Sequence, residues 1–220
     1  MPPRRYRARA RELAAAKTRA RILDAVVKLH AERGVTGTTY AMIAKLADVA
    51  IPTVYNHFPT QRELLAACTR KVVSAGPALG AGIFSDSMDL ESRLRALAAA
   101  LFASYRCRAP WLRWAVHEAV LVRPLQDLVK QAAALRRRLI AEALEPDFGP
   151  RPPQKLVAVA EVLLDFPAWQ RLTRNGRAAV EDAAQTIADA LLALARDRLT
   201  GATAAPALAL QLGRTKGASP

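Results

Sequence analysis

The chain has 220 residues, 52% of them hydrophobic, and a formal net charge of +14. That is enough apolar material for a sizeable core, and its alanine- and leucine-rich make-up with only 5% aromatics favours helices over sheet. No apolar run reaches the roughly 20 residues of a membrane span, and no apolar core of a signal peptide follows the arginine-rich start, so a cytoplasmic protein with no membrane partner is expected.

The positive excess is concentrated. Residues 1–72 carry 14 Lys/Arg against 5 Asp/Glu, whereas 73–220 carry 19 against 14. Arg4, Arg5, Arg7, Arg9 and Arg11 stand against Glu12 alone, so residues 1–16 read as a basic, flexible arm for solvent or a polyanion. From Lys17 the pattern turns amphipathic: Ile22, Ala25, Val26 and Leu29 fall at i, i+3, i+4 and i+7, and Gly34 ends that helix. Thr39 is an N-cap for a second helix over 40–47, Asp48-Val49 a short turn, and Pro52 stands in the first turn of a third. Thr60, with Glu63 three residues on, opens a fourth helix that ends at Gly76-Pro77. Residues 17–72 thus form one small domain.

The stretch 76–90 reads as irregular linker. Helices are expected near 91–106, 110–121 and 123–144, then a break at "EPDFGPRPP", then helices over 154–174 and 178–199 separated by "RNGR". Residues 73–199 form a larger helical domain, and the Ala/Gly/Thr/Pro tail 200–220 is expected to be disordered. The fold class is all-α, with four helices in the first part and five in the second.

The most informative stretch is "TTYAMIAKLADVAIPTVYNHF", Thr38 to Phe58. Ile43, Ala44, Ala47, Val49 and Val54 make an apolar seam, which leaves Thr53, Tyr55, Asn56 and His57 facing outward. Hydroxyls and an imidazole suit phosphates, and an amide suits a base edge. Two short helices joined by a tight turn fit a helix-turn-helix, in which the second helix enters the major groove; an ordinary helical hairpin with a solvated polar face has the same pattern.

The wider arrangement is more specific. An amphipathic helix precedes the pair, "TVYNHF" closes it, and "PTQRELLAA" starts a capped helix at once. Over about residues 17–70 the chain resembles the TetR family of one-component transcriptional regulators. The resemblance implies a three-helix DNA-binding unit joined by helix 4 to a larger ligand-binding and dimerisation domain. It implies that Thr53 and Tyr55 meet phosphates and bases, that Asn56 reads a base, and that His57 binds backbone. Pro52 heads the same helix, and Thr39 offers another phosphate its hydroxyl and N–H. Three positions depart from the family pattern: Asp48 replaces the turn glycine, Ala50 replaces the Ser/Thr cap, and Gln61 replaces a phosphate-binding lysine. Arg62 or the arm, with Arg4, Arg5 and Arg7, stands in for the last. The implied partners are double-stranded DNA with a palindromic operator, a second copy of the chain, and a small-molecule effector.

In the second part, Phe102, Tyr105, Trp111, Trp114, His117 and Glu118 cluster within 17 residues, with Phe166 and Trp169 further on. Aromatics spaced by three and four suit a plain core; titratable groups among them suit a pocket for an apolar or weakly cationic effector. The last helix carries Ala184, Ile187, Ala188, Leu191, Leu192 and Ala195 on one stripe, expected to make a four-helix dimer interface with the helix before it.

No catalytic residues, metal ligands or cofactor are assigned. His30, His57 and His117 are far apart, Cys68 reads as core, and Cys107, between two arginines, is a candidate for oxidation. A sequence-specific regulator, most simply a repressor released by its effector, is expected. The rival is a helical ligand-binding or scaffold protein, which needs neither the polar set at 53–57 nor the arginine arm.

Overall fold

The computed structural model describes residues 4–80, 82–85, 87–173 and 179–212, with side chains described between 8 and 198. Among them are nine helices: α1 Arg4–Arg33, α2 Tyr40–Ala47, α3 Ile51–His57, α4 Gln61–Ser74, α5 Leu90–Glu118, α6 Arg123–Phe148, α7 Gln154–Leu163, α8 Phe166–Thr173 and α9 Val180–Leu212. They fall into two compact units. The first joins Met1–Ala78 to Ser104–Leu135; the second joins Leu79–Ala103 to Arg136–Pro220. The boundary expected near residue 72 therefore misses that 104–135 belong with the N-terminal helices.

The helix number matches the expectation through two opposite departures. The segments expected at 91–106 and 110–121 are one helix, α5, with Pro110 inside it. A proline removes one backbone donor and strains the turn before it, yet α5 runs through it without a break. The segment expected at 154–174 is instead split. Leu164 caps α7, and Asp165 starts α8 by accepting the Phe166 N–H at 2.7 Å on its carboxylate. Pro167 sits in the first turn of α8, where its missing N–H costs nothing, and it cannot continue α7. α6 runs past Pro146 to Phe148, and Gly149 ends it at φ 75°.

Two stretches expected to lack structure are helical. α1 begins at Arg4, so 4–16 continue the helix instead of forming a loose arm; arginine and alanine are strong helix formers. α9 continues to Leu212 through most of the expected tail. Residues 213–220 and the "RNGR" loop lie outside the described residues.

In the first unit, Ile22, Ala25, Val26 and Leu29 of α1 pack with Ile43, Ala44 and Ala47 of α2, Val54 of α3, Phe58 just after it, and Leu64, Ala67 and Cys68 of α4. These are the positions the amphipathic pattern selects, with Val49 partly buried against them. A second cluster joins Val35 and Leu65 to Ala119, Val122 and Leu125.

In the second unit, Arg93 is buried and ties the start of α5 to the end of α6: its Nε donates to the Ala143 carbonyl at 2.8 Å, and its other nitrogens reach the Met88 carbonyl and the Asp147 carboxylate. The α9 stripe expected to face a second copy lies in this unit. Ala184, Ile187, Ala188, Leu191, Leu192 and Ala195 are all buried within the single chain, Ala195 completely. α7 and α8 pack on α9 within the chain. The residues that remain exposed on α9 include Ala190, Ala193 and Leu194.

Candidate nucleic-acid interface

α2 and α3 are short, and three local devices hold them. The Thr39 hydroxyl accepts the Met42 N–H at 3.2 Å, capping α2. That leaves the hydroxyl proton free to donate to an anion. Asp48 ends α2 in the left-handed conformation, φ 51°. A non-glycine residue there costs about 1–2 kcal/mol, less for Asp than for most. The Arg21 guanidinium, 27 residues earlier, bridges the Ala47 carbonyl at 2.6 Å, the Asp48 carbonyl at 2.9 Å and the Asp48 carboxylate at 3.2 Å. It satisfies the carbonyls that a helix end leaves unpaired and holds the turn where glycine would otherwise be favoured. Ala50 makes no side-chain cap to α3, as its residue type dictates.

Val54 on α3 and Phe58, which caps that helix, are fully buried. Pro52, Tyr55 and Asn56 are exposed, and Thr53 and His57 are half-buried. The four polar side chains therefore share the outward side of a helix anchored by the other. Tyr55, 49% exposed, stacks on Tyr40 of α2 with ring centroids 4.3 Å apart and planes 13° from parallel. The Tyr40 hydroxyl donates to the Phe58 carbonyl at 3.2 Å, and burial raises its pKa above the ordinary value, with Tyr55 and Glu63 adding to the effect. Tyr40 thus pins the end of α3 and orients Tyr55 at once. The Arg19 guanidinium lies 4.4 Å from the centroid of the Phe58 ring. Arg19, Arg21 and Tyr40 escaped the sequence reading because their partners lie 15 to 39 positions away; only the basic face of α1 hinted at them.

Thr60 caps α4 by accepting the Glu63 N–H at 3.2 Å. Arg62 is exposed and only 4.0 Å from Asp127, too loose a pair to hold it. The side chains of Arg4, Arg5 and Arg7 lie outside the described ones.

The expected effector residues divide between the two units. Phe102, Phe166 and Trp169 lie in the second unit, all buried, with the Phe166 and Trp169 rings 5.4 Å apart. Tyr105, Trp111, Trp114, His117 and Glu118 lie in the first. There the second half of α5 grips the end of α1. Trp111 Nε1 donates to the Val27 carbonyl at 2.8 Å, and Trp114 Nε1 and Arg113 donate to that of Ala31 at 3.1 and 2.8 Å. Glu118 is buried and accepts from the N–H groups of Val35 (2.7 Å) and Thr36 (3.2 Å) and from the Thr36 hydroxyl. Trp111, Trp114 and Glu118 are thus committed to internal polar partners, which the aromatic spacing alone did not reveal. His117 is exposed.

An exposed polar helix, seated on a buried apolar seam beside a basic first helix, is the arrangement of a helix-turn-helix on a body that is helical among the described residues. Residues 22–68 match the family described as bacterial regulatory proteins, tetR family. Over these residues the chain is similar to that family. It is 33% identical over 113 residues to the HTH-type transcriptional regulator BetI of two Burkholderia ambifaria strains, a match covering 48% of this chain and 58% of those relatives. The matched region thus spans little more than half the length of these relatives. The fold is similar to that of a transcriptional regulator from Rhodococcus sp. Rha1, with TM-score 0.62 and 19% identity over 79% of this chain and 95% of that one. It is also similar to that of a Saccharomonospora viridis protein crystallised with choline, with TM-score 0.61 and 21% identity over the same shares. Among the described residues no helix is long and apolar enough to cross a membrane.

Proposed function

We propose that the protein is a sequence-specific DNA-binding transcriptional regulator that works as a homodimer, represses its target and is released by a small molecule. The observation that carries this is the division of labour on α3. Val54 and Phe58 are fully buried, while Thr53, Tyr55, Asn56 and His57, with no role in the core that requires polar groups, are presented together. Thr39 and Tyr55 offer hydroxyl donors to phosphates, Asn56 offers an amide to a base edge, and the arginines of α1 supply sequence-independent attraction.

One α3 reads too few base pairs for useful specificity, which is the physical case for two copies. The dimer surface we assign is the outer side of α7 and α9, where Val159 (40% exposed), Val162 (68%) and Leu194 (42%) lie open with Ala190 and Ala193. The choline bound to the Saccharomonospora viridis protein supports a small cationic effector. In the second unit Phe102, Phe166 and Trp169 are the aromatic groups suited to such a cation.

The test is a fluorescence-anisotropy titration of duplexes differing at single base pairs, at several salt concentrations. Log affinity falls with log salt at a slope of roughly −0.9 per neutralised phosphate. Asn56→Ala narrows the spread of affinities among duplexes by about 1–3 kcal/mol at one position of each half-site. A spread that Asn56→Ala leaves untouched removes Asn56 as the base reader. Salt-independent binding removes the DNA reading altogether.

A further inference from the structure

We propose that Glu118 is a positioning residue for the DNA-reading helices, holding the turn between α1 and α2 in the one arrangement that presents α2 and α3 to a duplex. This inference rests on the DNA-binding function proposed above. α1 ends at Arg33 and α2 starts at Tyr40, so the placement of the helix-turn-helix on α1 depends on the six residues between them. Two N–H groups of that connection, from Val35 and Thr36, and the Thr36 hydroxyl converge on the Glu118 carboxylate, 82 and 83 positions away in the chain. Gly34 makes the approach feasible. It has φ 74°, and a Cβ there would run into the carboxylate. Thr38, whose hydroxyl donates to the Gly34 carbonyl at 2.7 Å, ties the other side of the same turn.

The carboxylate is one part of a larger grip. Trp111, Arg113 and Trp114 donate to carbonyls of the last two turns of α1, so one face of α5 supplies donors to the helix end and an acceptor to the N–H groups just beyond it. Charge-assisted bonds of this kind are about twice as strong as neutral ones. A glutamine at 118 keeps the size but has one acceptor oxygen instead of two, and it turns an N–H₂ toward N–H donors. The turn then loses its fixed geometry while the apolar seam of α2 and α3 stays intact.

The experiment compares wild type, Glu118→Gln and Trp114→Phe in three readouts: helix content by circular dichroism, hydrogen exchange at the Val35 and Thr36 amides, and affinity for a selected duplex relative to an unrelated one. The expected result is a folded Glu118→Gln protein whose two amides exchange at least about tenfold faster and whose specific-over-nonspecific ratio falls at least about tenfold, within the range of ordinary coupling between sites. Nonspecific affinity stays the same, because the basic side chains are untouched. Faster exchange with an unchanged ratio shows a merely structural bond and overturns the proposal, as does unchanged exchange. If Glu118→Gln does not fold, Trp114→Phe, which keeps an aromatic ring but removes the pyrrole part of the indole with its Nε1 donor, decides: a smaller fall in the ratio supports the grip, and no fall overturns it. Failure of the DNA-binding function is told apart by wild type alone, which would then prefer no duplex.

Discussion

His30 is the residue whose chemistry reports most directly on the packing of the first unit. It is buried, with Nδ1 3.6 Å from the Cys68 sulfur, and burial lowers its pKa from 6.5 to about 4 against the opposing pull of Glu118. The folded state holds the imidazole neutral while the unfolded chain takes up a proton near pH 6.5. Stability is therefore flat above that pH, falls as pH drops from 6.5 to about 4, and levels off below, with a total loss of about 3 kcal/mol from this group. Urea melts across that range measure the slope. His30→Gln should flatten it, and an unchanged slope assigns the effect elsewhere. Burial likewise pushes the Cys68 thiol up to about 12, which agrees with its reading as core, whereas Cys107 is exposed. At the turn, Asp48→Gly relieves the left-handed strain at the cost of one exposed ion pair, a gain of up to about 1 kcal/mol. Asp48→Val, β-branched at positive φ, should destabilise by more than that gain. Arg21→Ala should lower the melting temperature too, because it strips the bonds to the Ala47 and Asp48 carbonyls.

Among the elements, those built from neighbours in sequence were legible and those built from distant partners were not. The seam Ile43, Ala44, Ala47 and Val54, the caps Thr39 and Thr60, and the turn at Asp48 depend on spacings of three or four and on residue type, and all appear where the pattern puts them. The stripe on α9, expected to pair with a second copy, is buried within the single chain. An apolar face looks the same whether its own chain or a copy covers it. The aromatic spacing of α5 likewise could not tell a pocket from Trp111 and Trp114 donating into the end of α1. Prolines misled in both directions, tolerated at 110 inside α5 and decisive at 167 in α8. The dimer surface proposed on the outer side of α7 and α9 makes a prediction. Val162→Glu with Leu194→Glu changes only exposed positions, so the protein should stay folded and become monomeric by light scattering. Leu191→Glu should instead unfold the second unit, since it forces a charge into a buried site. A folded, dimeric double mutant would place the interface elsewhere.

For the whole molecule, the excess charge of residues 1–72 and the geometry of α3 point the same way: a basic first helix draws a polyanion to a short helix with readable polar side chains. A scaffold protein has no use for either. α5 and α6 each belong to both compact units, whereas α4 lies wholly within the first. The most direct test of sequence-specific reading by paired α3 helices is selection of bound duplexes from a random pool, followed by sequencing. A near-palindromic site should be enriched, with half-site centres about one helical turn, roughly 34–36 Å, apart or a multiple of it, and Asn56→Ala should blur the same position in both halves. A pool that emerges with no enriched sequence would contradict the account.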